Sequence, residues 1–209
     1  MNRGWTWTVV GCAAMFVTAC GLMGGPHTPS HTSTHAQVVV SSDSSSARTT
    51  SDTWDGLSLA PASLVQTLET AQVDTASGEA VKLPLDRPVI VFAPWCEYCH
   101  RLEQMLSREG LLDQATWVAA GFEIYEYPIT QNATTTRSLL TLAEAEQKVK
   151  ASYAALHLPM PTHVLYAMPG TPLAEAVRGY PDVFVLHDGR WYLQPGYVDA
   201  PGFWKTILA

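Results

Sequence analysis

One short motif constrains the fold of this chain more than any other feature: two cysteines, three positions apart, directly after an apolar run. The run Pro88–Ala93 has the length of a strand and no polar side chain, which predicts a β-strand buried on both faces. Trp95-Cys96-Glu97-Tyr98-Cys99 follows, and apolar residues then recur at helical spacing to about Arg108. The sequence therefore places Cys96 where a buried strand gives way to a helix.

The position of Cys96 determines the chemistry that we expect of the motif. A cysteine at a helix N-terminus faces unpaired backbone N–H groups and the positive end of the helix dipole, and both stabilise a thiolate. Cys99 lies one helical turn further on, close enough to form a Cys96–Cys99 disulfide. We expect Cys96 to be the exposed nucleophile that attacks a disulfide, and Cys99 to resolve the mixed disulfide.

Three other interpretations of the cysteine pair remain open at this point. With His100, the motif also matches the Cys-x-x-Cys-His pattern of c-type haem attachment, with Met105, Met160 or Met168 as a further iron ligand. The two thiols and His100 are also possible ligands for copper(I) or zinc in a metal-delivery module. A purely structural disulfide is disfavoured, because so short a loop constrains little of the unfolded chain.

The N-terminal segment has the features of a secretory signal. Residues 1–19 combine a short basic start with an apolar stretch that is too short to span a bilayer comfortably. The stretch ends in Val17-Thr18-Ala19-Cys20, which resembles a bacterial lipobox, in which the cysteine becomes the lipid-bearing N-terminus of the mature protein. The alternative is an ordinary secretory signal with a chance cysteine at position 20.

Composition separates a tether from a globular domain. Residues 21–53 hold 14 Ser and Thr in 33 positions, which predicts that residues 20–53 form a disordered tether. Residues 54–209 have the composition of a folded domain. The net charge of −7, with no cluster of Lys and Arg, argues against nucleic-acid binding.

Periodicity predicts alternating helices and strands in the domain. The longest predicted helix covers 136–157. Further helices are predicted at 61–71, 96–108 and 201–208, strands at 88–93, 122–129, 162–167, 182–186 and 190–197, and a hairpin at 73–83. This order indicates an α/β domain with a mixed central sheet flanked by helices.

The motif and its surroundings resemble the thioredoxin superfamily. A second block supports the resemblance: Tyr180-Pro181 precedes the predicted strand 182–186, which is followed by the turn Asp188-Gly189, another strand and a final helix. Within the superfamily, Cys99-His100-Arg101-Leu102 and the helical insertion between Cys99 and Pro181 look like the bacterial extracytoplasmic Dsb-type thiol:disulfide interchange proteins.

The resemblance implies a thioredoxin-like fold and a set of site residues. Pro181 would be the cis-proline that packs beside the reactive cysteine, with Pro161 as a rival for that position. Trp95, Tyr180 and Pro181 would shape the substrate groove. The resemblance implies no cofactor; the partners would be cysteine-containing exported proteins and a membrane redox partner, and Cys20 would hold the protein on the extracytoplasmic face of the bacterial membrane.

Two departures from the resembled pattern limit what it implies. The isomerases carry a folded dimerisation domain before the catalytic one, and the tether occupies that region here, so we expect a monomer. Thioredoxins also carry a buried aspartate six residues before the first cysteine, and that position is Ile90 in this chain. Another group or water would therefore have to move protons at the second cysteine.

The residues around the two cysteines should modulate the redox couple. Glu97 places a negative charge next to Cys96, which raises the energy of the thiolate and favours a reducing couple. Tyr98 and His100 are the other modulating candidates, and a protonated His100 would favour the thiolate.

Overall fold

The computed structural model describes residues 53–125 and 140–208. The strands are β1 (Thr53–Trp54), β2 (Leu57–Leu59), β3 (Gln72–Asp74), β4 (Ala80–Lys82), β5 (Val89–Phe92), β6 (Thr116–Ala119), β7 (Val164–Tyr166), β8 (Asp182–His187) and β9 (Arg190–Pro195). The helices are α1 (Ala62–Thr70), α2 (Glu97–Arg108), α3 (Leu142–Leu156), α4 (Pro172–Ala176) and α5 (Pro201–Leu208), with short 3₁₀ turns at Leu112–Gln114 and Phe122–Tyr125.

The strands of the described ranges form one mixed sheet in the order β1-β2-β9-β8-β5-β6-β7-β3-β4. β5, β6 and β7 are parallel, and every other neighbouring pair is antiparallel. β5 lies at the centre, between β6 and β8. The strand that leads into the cysteine motif is therefore held from both sides.

Helices cover both faces of this sheet. α2, α3 and α5 share one apolar core with Ile90 and Phe92 of β5, while α1 and α4 share the other with Val89 and Val91. All four β5 side chains are fully buried, as the continuous apolar run predicted. The α/β architecture, with a mixed sheet and helices on both faces, is confirmed.

The helical insertion predicted between the cysteine helix and Pro181 is present as α3. Thr141 begins it with a capping box: the Thr141 side chain accepts from the Glu144 N–H, and the Glu144 carboxylate accepts from the Thr141 N–H. The described helix therefore starts at Leu142, later than predicted, and residues 136–139 lie outside the described ranges. Its buried face is Ala145, Val149 and Tyr153.

The prediction of a strand over 122–129 was wrong for residues 122–125, the part of that range that the structure describes. Phe122–Tyr125 forms a 3₁₀ turn, residues 126–129 lie outside the described ranges, and the strand of this region is β6, at Thr116–Ala119. β6 pairs in parallel with β5, and its four buried residues already pair with all four residues of β5. The strand of this region therefore lies before residue 122. Sequence reasoning also missed β1, β2 and the short helix α4.

Several predictions about the N-terminal region lie outside the described residues. These are the signal peptide at 1–19, lipidation at Cys20, and the tether up to residue 52. Thr53, assigned to the tether, is part of β1 and pairs with Ser58. Within residues 53–125 and 140–208, no helix combines the length and apolarity needed to cross a membrane.

Candidate active site

The chain turn after β5 places Cys96 at the N-cap of α2. The Cys96 N–H donates to the Ala93 carbonyl at 3.0 Å, which closes the turn that begins at the end of the strand. The Cys96 sulfur accepts a hydrogen bond from the Cys99 N–H at 3.3 Å, so the sulfur itself caps the helix. This is the geometry that the strand–motif–helix order predicted.

The acidity of the Cys96 thiol follows from these contacts. The pKa of Cys96 is lowered from 9.0 to about 7, mainly by a hydrogen bond from the Cys99 thiol and against the opposing effect of burial. The backbone N–H groups of Cys99 and Tyr98 lower the pKa further. A substantial fraction of Cys96 is therefore thiolate near neutral pH.

Cys99 has the opposite properties. Its side chain is fully buried, and burial strongly raises the pKa of its thiol. Cys96 is also more enclosed than the predicted exposed nucleophile, with 6% of its surface accessible, because the chain around Tyr180 closes over it. The expected order of accessibility is kept, since Cys96 still reaches the surface and Cys99 does not. Both cysteines are free thiols in this structure.

The loop before β8 completes the environment of Cys96. The Cys96 thiol donates to the Tyr180 carbonyl oxygen at 3.2 Å. The peptide bond between Tyr180 and Pro181 is cis, as the sequence predicted for this proline rather than for Pro161. The backbone at this loop therefore lies directly beside the reactive sulfur.

Aromatic side chains form the rim around Cys96. Trp95 is 43% exposed, and its Nε1–H donates to the Gly121 carbonyl at 2.7 Å. The Tyr180 ring meets the Trp95 ring edge to face, with centroids 5.9 Å apart. Tyr98 is 57% exposed and has the Arg101 guanidinium over its ring. Trp95 and Tyr98, one and two residues from Cys96 along the chain, thus offer exposed aromatic area to solvent.

Gly121 is a site residue that the sequence did not reveal. A Cβ at this position would lie 2.8 Å from the Ala93 Cβ and 3.0 Å from the Tyr180 ring, and the backbone φ is +69°. Both facts require glycine here. The close approach lets Tyr180 pack against the turn that precedes Cys96.

The modulating candidates occupy three different positions. Glu97 is exposed and paired with Arg101 at 2.5 Å, and its charge raises the pKa of Cys96, the direction that the sequence predicted. The Tyr98 backbone N–H lowers the pKa of Cys96. His100 has its contacts elsewhere: its Nε2 lies 3.0 Å from both the Pro94 carbonyl and the Ser152 hydroxyl. The contact with Ser152 links α2 to α3.

A buried acid on α2 is the second feature that sequence reasoning missed. Glu103 is fully buried, and burial raises its pKa to about 8. Tyr153 of α3 is buried beside it and also interacts with it. The available signal was the helical spacing, because Cys99, Glu103 and Leu106 fall on one face of an otherwise apolar stripe.

The geometry bears on the haem and metal interpretations. Thioether formation requires both sulfurs to be accessible, and Cys99 is fully buried, as is Met105. His100 Nε2 lies 3.0 Å from both the Pro94 carbonyl and the Ser152 hydroxyl, so this nitrogen already has two polar partners within the protein. In the described ranges no group of three or more His, Cys, Asp or Glu side chains is arranged to hold a metal ion.

The order of elements and the site together define a class. A Cys-x-x-Cys dithiol lies at the start of α2 after a central strand, a parallel βαβ unit follows, and a cis-proline precedes an antiparallel hairpin and a C-terminal helix. This is a thioredoxin-like fold with a dithiol centre.

Solved structures with a similar chain trace carry related names. A secreted disulfide oxidoreductase of Mycobacterium tuberculosis, described as homologous to E. coli DsbE, is 14% identical over 68% of this chain and 96% of that one, with a TM-score of 0.42. A thioredoxin-like protein from Aeropyrum pernix is 13% identical over 69% and 91%, with a TM-score of 0.42. StoA from Bacillus subtilis is 16% identical over 66% and 96%, with a TM-score of 0.40. No protein-family model and no curated protein matches the sequence.

Proposed function

We propose that this protein is a thiol–disulfide oxidoreductase, held by lipid at Cys20 on the extracytoplasmic face of a bacterial cell membrane, that acts on cysteine pairs of exported proteins. The observation that carries the proposal is the unequal acidity of the two thiols. Cys96 has a pKa of about 7 and reaches the surface, while Cys99 is buried with a strongly raised pKa. A nucleophile and a resolving thiol need these two properties.

The substrate groove in this proposal is the aromatic rim beside Cys96. Trp95 and Tyr98 provide exposed apolar area, and the backbone of Tyr180 and Pro181 lies next to the sulfur. A peptide that carries the substrate cysteine would cross this surface to reach the sulfur.

The direction of electron flow in this proposal is towards the substrate. A pKa near 7 stabilises the thiolate only moderately, as in thioredoxin, whereas the strong oxidant DsbA has a far lower pKa of about 3.5. The Glu97 charge acts in the same direction, because it disfavours the thiolate form. A membrane redox partner would then return electrons to the Cys96–Cys99 couple.

Trapping of mixed disulfides tests the function. Cys99→Ser should accumulate disulfide-linked complexes with exported proteins through Cys96, and Cys96→Ser, the matched control, should trap none. The reverse pattern would contradict the roles assigned to the two thiols, and no complexes with either variant would contradict the activity itself.

The reduction potential tests the direction. Equilibration of the full-length protein in redox buffers should give a value at or below about −250 mV, whereas a value near about −120 mV would indicate an oxidase.

Membrane fractionation tests the anchor. The wild-type protein should require detergent for release from membranes, and Cys20→Ala should be released without it. Equal behaviour of the two proteins would contradict lipidation at Cys20.

A further inference from the structure

Glu103 is a buried carboxyl group that the proposed exchange chemistry has not yet used. It lies in the middle of α2, has no exposed surface, and neither carboxyl oxygen has a hydrogen-bond partner. A buried and unpaired acid is costly for a fold to keep. The surrounding groups indicate what this acid can do.

Two of those groups are the reactive cysteines. Glu103 follows Cys99 by four residues and Cys96 by seven, so helical geometry places all three on the same face of α2. The electrostatic effects agree with this placement: the Glu103 charge raises the pKa of Cys99, and the Cys96 charge raises the pKa of Glu103.

The neighbouring elements add one further titratable group. Tyr153 of α3 is buried beside Glu103 and lowers its pKa, although neither group has a partner at hydrogen-bond geometry. On the sheet side, the Phe92 ring of β5 packs edge to face against Tyr153. Among the described residues, the titratable groups that interact with Glu103 are therefore the two cysteines and one phenol.

We propose that Glu103 accepts the proton that Cys99 must lose when it resolves the mixed disulfide. The inference rests on the proposed function.

In a protein that reduces its substrate, the step begins with Cys96 bonded to a substrate sulfur. The Cys99 thiol gives its proton to the Glu103 carboxylate. The Cys99 sulfur then bonds to the Cys96 sulfur, and the bond between Cys96 and the substrate breaks. The substrate leaves as a thiolate and takes a proton from solvent, so the substrate disulfide has gained two electrons and the protein dithiol has become a disulfide.

The charge of Cys96 affects the stage at which Glu103 can act as a base. Burial raises the pKa of Glu103 to about 8, and the negative charge of Cys96 contributes to the increase. Mixed-disulfide formation removes that charge, so the pKa of Glu103 falls at the stage when Cys99 must be deprotonated. The carboxylate becomes available as a base when it is needed.

A chromogenic aromatic disulfide, 5,5′-dithiobis(2-nitrobenzoate), separates the two chemical steps. The protein would be the full-length chain in detergent, reduced, with Cys12→Ser and Cys20→Ser so that its thiols are Cys96 and Cys99. Attack by Cys96 releases one coloured thiolate, and attack by Cys99 on the mixed disulfide releases a second. The first phase reports the nucleophile and the second reports resolution.

Glu103→Gln should leave the first phase within about twofold and slow the second by at least about tenfold at pH 7. Glu109→Gln, which removes a carboxylate from the C-cap of α2, should change neither phase. An unchanged second phase in Glu103→Gln would overturn the inference and leave the proposed function intact. A wild-type protein without a first phase would contradict the proposed function, and with it the inference.

Tyr153→Phe provides a second test that does not depend on the folding of the Glu103 variant. Loss of the phenol removes an interaction that lowers the pKa of Glu103, so the pH midpoint of the second phase should shift upward while the first phase keeps its own midpoint. An unshifted second phase in this variant would contradict the assignment of Glu103 as the base.

Discussion

The thiol of Cys96 donates a hydrogen bond to the carbonyl oxygen of Tyr180, a residue 84 positions further along the chain. This contact exists only while Cys96 is protonated, because the carbonyl can only accept. The thiolate depends instead on donors from α2, the thiol and N–H of Cys99. The two protonation states of Cys96 are thus stabilised by different parts of the fold.

The first prediction concerns the pH dependence of Cys96 reactivity. Its alkylation rate with iodoacetamide should rise through an inflection near pH 7, because the thiolate is the reactive form and the pKa of Cys96 is about 7. In Cys99→Ala the inflection should move up towards 9.0, the ordinary value, since the Cys99 thiol is the largest cause of the lowering. Mass spectrometry of the alkylated peptide measures both rates, and equal inflections in the two proteins would contradict the contact.

The second prediction concerns the charge pair beside Cys96. Glu97→Gln should lower the pKa of Cys96, since the Glu97 charge raises it. The shift should be small, because Glu97 is exposed to solvent and paired with Arg101, and its charge is the weakest of the effects on Cys96. Arg101→Gln should shift the pKa in the opposite direction. Ultraviolet absorbance of the thiolate measures both shifts, and shifts of the same sign would show that the pair does not act through charge.

The third prediction concerns Gly121. Gly110 is a matched control, because its φ of +70° is close to the +69° of Gly121 but no atom lies within 4 Å of its added Cβ. Gly110→Ala should cost about 1 kcal/mol of unfolding free energy from backbone strain. Gly121→Ala should cost about 1 to 3 kcal/mol more than Gly110→Ala, because its Cβ would overlap Ala93 and Tyr180. Urea unfolding measures both, and equal losses would mean that the neighbours yield without cost.

The fourth prediction concerns stability against pH. Burial raises the pKa of Glu103 to about 8 and that of Asp182 to about 6. A raised carboxyl pKa means that the folded state binds more protons than the unfolded chain between the two pKa values, so stability falls as pH rises through that window. For Glu103 the window extends from about 4.3 to 8, with a slope of at most about 1.4 kcal/mol per pH unit.

Two variants separate these contributions. Between pH 6 and 7, Glu103→Gln should remove most of the fall in unfolding free energy, whereas Asp182→Asn should remove only the part below about pH 6. Above pH 7 the lowered pKa of Cys96 acts in the opposite direction and adds stability as pH rises, so there the Glu103 contribution is read as the difference between the variant and the wild-type protein. Urea midpoints at a series of pH values measure the slopes. Equal changes in the unfolding free energy of the wild-type protein and of Glu103→Gln between pH 6 and 8 would contradict a buried Glu103 with a raised pKa.

The sequence predicted the centre of the site because that centre is local. A buried strand, a two-residue turn and Cys96 at a helix start are encoded within about twenty consecutive residues. The same residues place Cys96 where its thiolate is stabilised. Pro181 was found through the order of elements that follows it. In these cases the pattern and the structure depend on the same neighbouring residues.

The missed features depend on contacts between distant segments. β6 is four residues long and buried on both faces, so it has no alternation, and its pairing with β5 decides that it is a strand. Glu103 is a charged residue on a helix, which ordinarily indicates a solvated face, and the burial comes from the packing of α3 over α2. Gly121 is explained by Tyr180, 59 residues later in the sequence.

The hairpin of β1 and β2 has a mechanical consequence. β1 pairs with β2 at the border of the described sheet, β2 pairs with β9, and the Trp54 ring stacks on His187 at 4.1 Å. A pulling force applied to the chain before Thr53 therefore enters the domain through this border. The load reaches β9 and β8 before it reaches β5, so the hairpin can be peeled away under tension while the strand that carries Cys96 stays in place.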